Sequence, residues 1–120
     1  MNPPTEVPRL ELLCLELDGP PVGTVDDAVK LLEESFSRRA TVIAIPKERL
    51  HAEFLDLSTR MAGEFLQKMV NYRRTVALLG DFSAEAAASK SLRDFIVECN
   101  RGQQIFFLPD LGALQARLAK

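Results

Sequence analysis

Two short polar loops hold the residues of this 120-residue chain whose types and spacing could do chemistry. One is Asp56-Leu-Ser-Thr59 with Arg60, and the other is Gly80-Asp-Phe-Ser83, with Ser89 a little further on. The first offers a carboxylate and two hydroxyls where a helical pattern begins, and free N–H groups and the helix dipole favour an anion or a phosphorylated hydroxyl there. Asp, Ser and Thr are equally the standard caps of a helix N-terminus, worth about 1 kcal/mol, and that plainer role accounts for all three. The second loop follows an apolar strand pattern, a place where open α/β sheets contact ligands, although Gly80 also suits a turn and Asp81 a cap. Side by side at one edge of a parallel sheet, the two loops would form a binding surface.

Other reactive side chains point to less. His51 is the one histidine, five residues before Asp56. A hydrolase would pair it with Asp56 or Asp81, but no Gly-x-Ser-x-Gly elbow accompanies it, and a surface histidine is the expectation. Ser89-Lys90-Ser91 lacks the glycines of a phosphate-cradling loop. Cys14 and Cys99 lie in apolar stretches without Cys or His at metal-ligand spacing, so reduced core thiols are expected, with no metal and no cofactor. Tyr72-Arg-Arg74 closes a helical pattern and complements its negative end.

Positioning these groups takes an alternation of strands and helices. Arg9 to Leu17 reads as a strand ended by Asp18-Gly-Pro-Pro21, with a short strand-like Val22-Gly23 after it. Thr24-Val-Asp-Asp27 resembles a capping box and opens a helix over 24 to 38, with Val25, Ala28, Val29, Leu32 and Phe36 facing inward. Strands are expected at 41 to 45, 75 to 79 and 104 to 108, and helices at 58 to 72, 91 to 100 and 110 to 118. Met61, Ala62, Phe65, Leu66, Met69 and Val70 form the inner stripe of the second helix. Ser91-Leu-Arg-Asp94 reads as a further capping box, and Leu111, Leu114 and Leu118 as the docking side of the last helix. The stretch from Pro46 to Leu57 allows one turn around 48 to 53, and 83 to 89 is left as either a helical turn or a loop.

This order predicts a single α/β domain over 9 to 120, with a largely parallel sheet of four or five strands, right-handed crossovers and about four packed helices. Residues 1 to 8, with three prolines, read as a flexible tail. A formal charge of −2, from 15 basic and 17 acidic residues, gives no footprint for nucleic acid. No apolar run approaches a membrane span and the N-terminus has no leader pattern, so a soluble cytoplasmic protein is expected.

Four strings carry a resemblance. They are Phe54 to Arg73, Gly80 to Ser83, Ser89 to Gly102, and Phe106-Phe-Leu-Pro-Asp110, and together they resemble the DUF4180 family of bacterial proteins over most of residues 9 to 118. That family is named for an unknown function. The chain is more distantly similar to STAS domains, the anti-sigma-factor antagonist fold, in which an Asp-Ser-Ser-Gly-like loop opens the second helix and a serine is phosphorylated. This likeness implies a STAS-like fold with Ser58 as the phosphoserine counterpart, with Leu57 intervening after the acid and Arg60 standing where a glycine is expected. The reading is a non-enzymatic regulatory or protein-interaction module using Asp56, Ser58, Thr59, Arg60, Gly80, Asp81, Ser83 and Ser89. The partner is an unidentified protein, and a homodimer is allowed. The alternatives are a small-molecule or nucleotide-binding domain at the same loops and, behind it, the His51 hydrolase.

Overall fold

A computed structural model of the protein describes residues 12–119. Strands β1 (Leu12–Cys14), β2 (Val42–Pro46), β3 (Thr75–Leu79) and β4 (Ile105–Leu108) pair in parallel in the order β1-β2-β3-β4. Ile43 lies opposite Leu13 on one side and Val76 on the other, and Leu78 opposite Ile45 and Phe107. The expected α/β class with a parallel sheet is what forms. The expected tail at 1–8 and the first three residues of the expected strand 9–17 lie outside the described residues. Of the rest of that strand, Leu12–Cys14 forms β1, with one more bond from Leu15 N–H to Ala44 O at 3.0 Å, and Val22 contributes a single parallel bridge to Leu50.

Strands adjacent in the chain are adjacent in the sheet, so right-handed crossovers place every connecting helix on one face. These helices are α1 (Val25–Ser37), α2 (Met61–Asn71), the short α3 (Ser83–Ala88) and α4 (Lys90–Arg101). On that face Leu13, Ile43, Ile45, Val76, Leu78, Ile105 and Phe107 meet Leu31 and Leu32 of α1 and Phe65, Leu66 and Met69 of α2. The alternate strand positions, Val42, Ala44, Ala77, Leu79 and Phe106, point to the other face and pack with Leu111, Leu114 and Leu118 of α5 (Leu111–Leu118). This is the period of two that a pleated strand imposes. Each connecting helix runs back along the strands, so helix N-termini gather at the carboxyl edge of the sheet and C-termini at the amino edge. Among the described residues no helix is long and apolar enough to cross a membrane.

The start of α1 is as expected, and other helix ends depart from expectation in instructive ways. Thr24 and Asp27 form the reciprocal capping box at the start of α1. Burial alone would raise the Asp27 carboxyl, but amide donors from Thr24 and Gly23 hold it below its ordinary value. The inner stripe of α1 is Ala28, Leu31, Leu32 and Ser35, whereas Val25 and Phe36, expected inside, are exposed. Helix α2 begins at Met61, not 58, because Arg60 takes a left-handed φ of 66° and separates it from a 3₁₀ turn at Leu57–Thr59. Helix α4 is capped by Ser89, whose hydroxyl accepts from Leu92 N–H at 3.2 Å, and not by Ser91. Asp94 pairs instead with Lys90 at 2.8 Å.

Helices α1 and α2 end alike. In both, the residue just past the cap is a left-handed arginine, Arg39 with φ 58° and Arg73 with φ 60°. Its N–H bonds two residues inside the helix, to Phe36 and Val70, and the next N–H, of Ala40 or Arg74, bonds back to Ser35 or Met69. This is the Schellman ending, in which glycine is the usual left-handed residue. A non-glycine residue there costs on the order of 1 kcal/mol or more, and a cation near a helix C-terminus returns about 0.3–1 kcal/mol. Arg74 then joins the two ends: its Nε donates to the buried Ser35 hydroxyl at 2.9 Å and its guanidinium lies 4.2 Å over the Phe36 ring.

Two further features were not foreseen. The outer edge of β4 is closed by a side chain: the Asn100 amide donates to Phe107 O at 3.1 Å and accepts from Phe107 N–H at 2.8 Å, as a neighbouring strand would. Cys14, expected in the core, is exposed, because it lies on the second face at β1 while α5 sits at the β4 side of the sheet. Cys99 does pack against the core, and burial, helped by Glu98, pushes its thiol up to about 11.

Candidate functional site

The chain leaves β2, β3 and β4 at the carboxyl edge, and every candidate residue lies there. In the first loop, Asp56 Oδ1 accepts from Ser58 N–H at 3.1 Å and from the Ser58 hydroxyl at 2.7 Å. The Thr59 hydroxyl lies within donating range of Asp56 O at 2.8 Å and Glu53 O at 3.2 Å, and accepts from Met61 N–H at 3.2 Å. Asp56 therefore caps the 3₁₀ turn and not α2, whose first N–H is met by Thr59. The exposed Arg60 is the left-handed residue at the junction, and the loop borders Gly23, Thr24 and Val25 at the start of α1 across a shallow recess of about 330 Å³.

The second loop repeats the first one's device. Asp81 Oδ1 accepts from Ser83 N–H at 2.9 Å and from the Ser83 hydroxyl at 2.6 Å. Both loops are thus Asp-x-Ser turns in which one carboxylate oxygen ties down the serine two residues on, a known way for Asp to mimic a backbone turn. Gly80 has φ 154°, donates its N–H to Leu108 O at 2.9 Å, and would bring a Cβ within 2.7 Å of the Lys47 Cβ. Lys47 organises the neighbourhood. Its ammonium donates to Asp81 O at 2.7 Å, pairs with Glu85 at 2.7 Å and lies 5.4 Å from the centre of the Phe82 ring. That lysine, the first residue after β2, was not singled out by the sequence, where nothing marks it except its place behind Pro46.

These contacts have a pH signature. The Ser83 hydroxyl, then the Ser83 N–H, and in smaller part Lys47 hold the Asp81 carboxyl below its ordinary 3.8, and the Lys47 ammonium holds that of Glu85 below 4.5. A carboxyl lowered by folding stabilises the fold above its unfolded value, and that contribution is lost as pH falls through the lowered folded value. Asp81→Asn is expected to narrow its stability difference from wild type progressively as pH drops below the ordinary carboxylate value. Urea melts across the acid range that give a constant difference would refute this.

Ser89 lies at the same edge but is engaged as the α4 cap. Among the described residues no hydrogen bond or ion pair joins the Asp56 loop to the Asp81 loop. The hydrolase pairing is not formed. His51 Nδ1 accepts from Glu53 N–H at 3.1 Å and its main chain donates to Val22 O, while Asp56 and Asp81 are bound to their own serines. Arg49, also not foreseen, donates to the carbonyls of Glu16 and Pro20 and fastens the loop after β1. Among the described residues no three carboxylate, imidazole or thiol groups converge as a metal site would require.

Beside the second loop is an open recess of about 300 Å³. Its floor is Phe82, Ile96, Phe107 and Leu108, and Asp81 and Ser83 stand on its rim. Residues 9–118 match the sequence model of a family described as a domain of unknown function (DUF4180). No curated protein and no solved structure matches the chain.

Proposed function

The chain belongs to the DUF4180 family, and from that premise we propose that it is a non-enzymatic regulatory or protein-interaction module acting in the cytoplasm. Its partner is a protein, engaged through Gly80 to Ser83 with the Asp56 to Arg60 loop as a second contact. The observation that carries this is the recess beside Asp81 and Ser83. An apolar floor with a polar rim held rigid by its own hydrogen bonds is the arrangement that seats an anchoring side chain of a partner. The strand order weighs against the small-molecule or nucleotide alternative, because ligand crevices in open α/β sheets form where that order reverses, and among the described residues β1-β2-β3-β4 has no reversal.

The STAS likeness would make Ser58 a phosphorylation site. Its hydroxyl, however, is hydrogen-bonded to Asp56 at 2.7 Å, so a phosphate there would meet a carboxylate and undo the turn. Direct contact is the favoured route. The test compares affinity capture from the native cell by wild type, by Ala86→Arg, which puts a long side chain into the recess that Ala86 of α3 also lines, and by Ser58→Glu, with circular dichroism to confirm folding and intact-mass analysis of the purified protein. The expected result is a partner depleted about tenfold by Ala86→Arg, a loss of some 1.4 kcal/mol of binding. An identical set of captured proteins from all three would overturn the reading.

A further inference from the structure

The opposite edge of the sheet has a different character. There the ends of α1 and α2 carry Arg38, Arg39, Lys68, Arg73 and Arg74 close in the chain to two exposed rings, Phe36 and Tyr72, which are 49% and 47% accessible. The rings meet edge to face at 6.2 Å, with Arg74 over Phe36 and Lys68 over Tyr72. Arg38 is paired with Glu34 at 3.0 Å, but Arg39 and Arg73 have no side-chain partner among the described residues. On a chain whose formal charge is −2, this is a local concentration of positive charge.

We propose that this face docks an acidic segment of a partner protein that carries apolar side chains among its carboxylates. Arg39 and Arg73 are the cations without a side-chain partner among the described residues, and both occupy left-handed positions where glycine would suit the backbone better; the field at a helix C-terminus returns no more than that strain costs, so helix stability gives arginine no advantage over glycine at either. Guanidinium groups bind carboxylates in a two-pronged fashion, and the exposed rings at the same helix ends offer apolar contact. Single-stranded nucleic acid fits less well. Successive bases stack nearly parallel, whereas these two rings are inclined at 70° and each already has a cation over one face. Carboxylate side chains of a peptide carry no such requirement. This surface is separate from the carboxyl-edge recess, so either can fail without the other.

The experiment measures fluorescence anisotropy of a labelled glutamate-rich peptide containing phenylalanine, with the purified full chain. A lysine-rich counterpart, oligo(dT) and phosphatidylserine vesicles are run beside it. The acidic peptide is expected to bind, and to weaken as salt rises from about 0.05 to about 0.3 M. The double variant Arg39→Gly, Arg73→Gly should weaken it about tenfold or more, with a melting temperature unchanged or raised because glycine relieves the left-handed strain. Helix-capping arginines alone would show a lowered melting temperature and unaltered affinity, and that pair of results overturns the proposal. So does absence of binding to the acidic peptide, or tighter binding to oligo(dT) or vesicles.

Discussion

Replacing Phe65 with alanine is expected to cost about 3–5 kcal/mol of stability, while His51→Ala costs little. Phe65 is fully buried in the middle of α2, and its ring meets that of Phe54 edge to face at 5.6 Å. Truncation removes the largest side chain of that stripe and leaves a cavity between rigid elements that cannot close over it. It also unseats Phe54, which anchors the irregular segment between β2 and α2. His51 is only partly buried, and its ring takes one hydrogen bond, from the neighbouring Glu53 N–H. Urea melts of the two variants in which the midpoints shift equally would contradict both assignments.

Asn100→Leu is the second large effect, expected to cost about 2–4 kcal/mol. The side chain of Asn100 supplies both a donor and an acceptor to Phe107, and among the described residues no strand lies beyond β4 to replace it. Leucine keeps comparable bulk but leaves the Phe107 N–H and C=O without partners in a partly buried position. The local readout is amide exchange: the Phe107 N–H should exchange much faster in the variant. The bared edge should also raise the tendency to associate, since an unpaired strand edge is a template for another chain. Unchanged exchange at Phe107, with stability within about 0.5 kcal/mol of wild type, would show that the asparagine is incidental.

The sheet and its helices were legible because a few strong physical signals agree. The β-branched and apolar runs at 41 to 45 and 75 to 79 match central strands buried on both faces, and of the stripe expected on α2, Ala62, Phe65, Leu66 and Met69 are buried while Met61 and Val70 pack against the core partly buried. Where the reading failed, the deciding interaction was between segments distant in the chain. Phe36 has the spacing of a core residue, but the stripe turns toward Leu31 and Ser35, and Arg74 covers the outward ring. Arginine carries no left-handed preference, so the breaks at Arg39, Arg60 and Arg73 are invisible to propensity, and with Arg60 went the true start of α2. Of the candidate site, the Asp-x-Ser spacing was visible twice, but not that each pair closes on itself. Lys47, Phe82 and the recess beside them are assembled from β2, β3, α3, α4 and β4, and no local pattern announces them.

The unreversed strand order also bears on how the chain finds this structure. Among the described residues every pairing of the four strands joins strands consecutive in the chain, so each closes a loop of roughly thirty residues and none must wait for a distant segment. Folding can therefore advance as a zipper, one strand and its return helix at a time, as in repeat proteins whose units touch only their neighbours. Emerging from the ribosome, the chain can pair β1 with β2 and bury α1 before β4 has been synthesised. The last acts are then the closing of the β4 edge by Asn100 and the laying of α5 on the second face, and transient strand edges stay exposed only on the growing side.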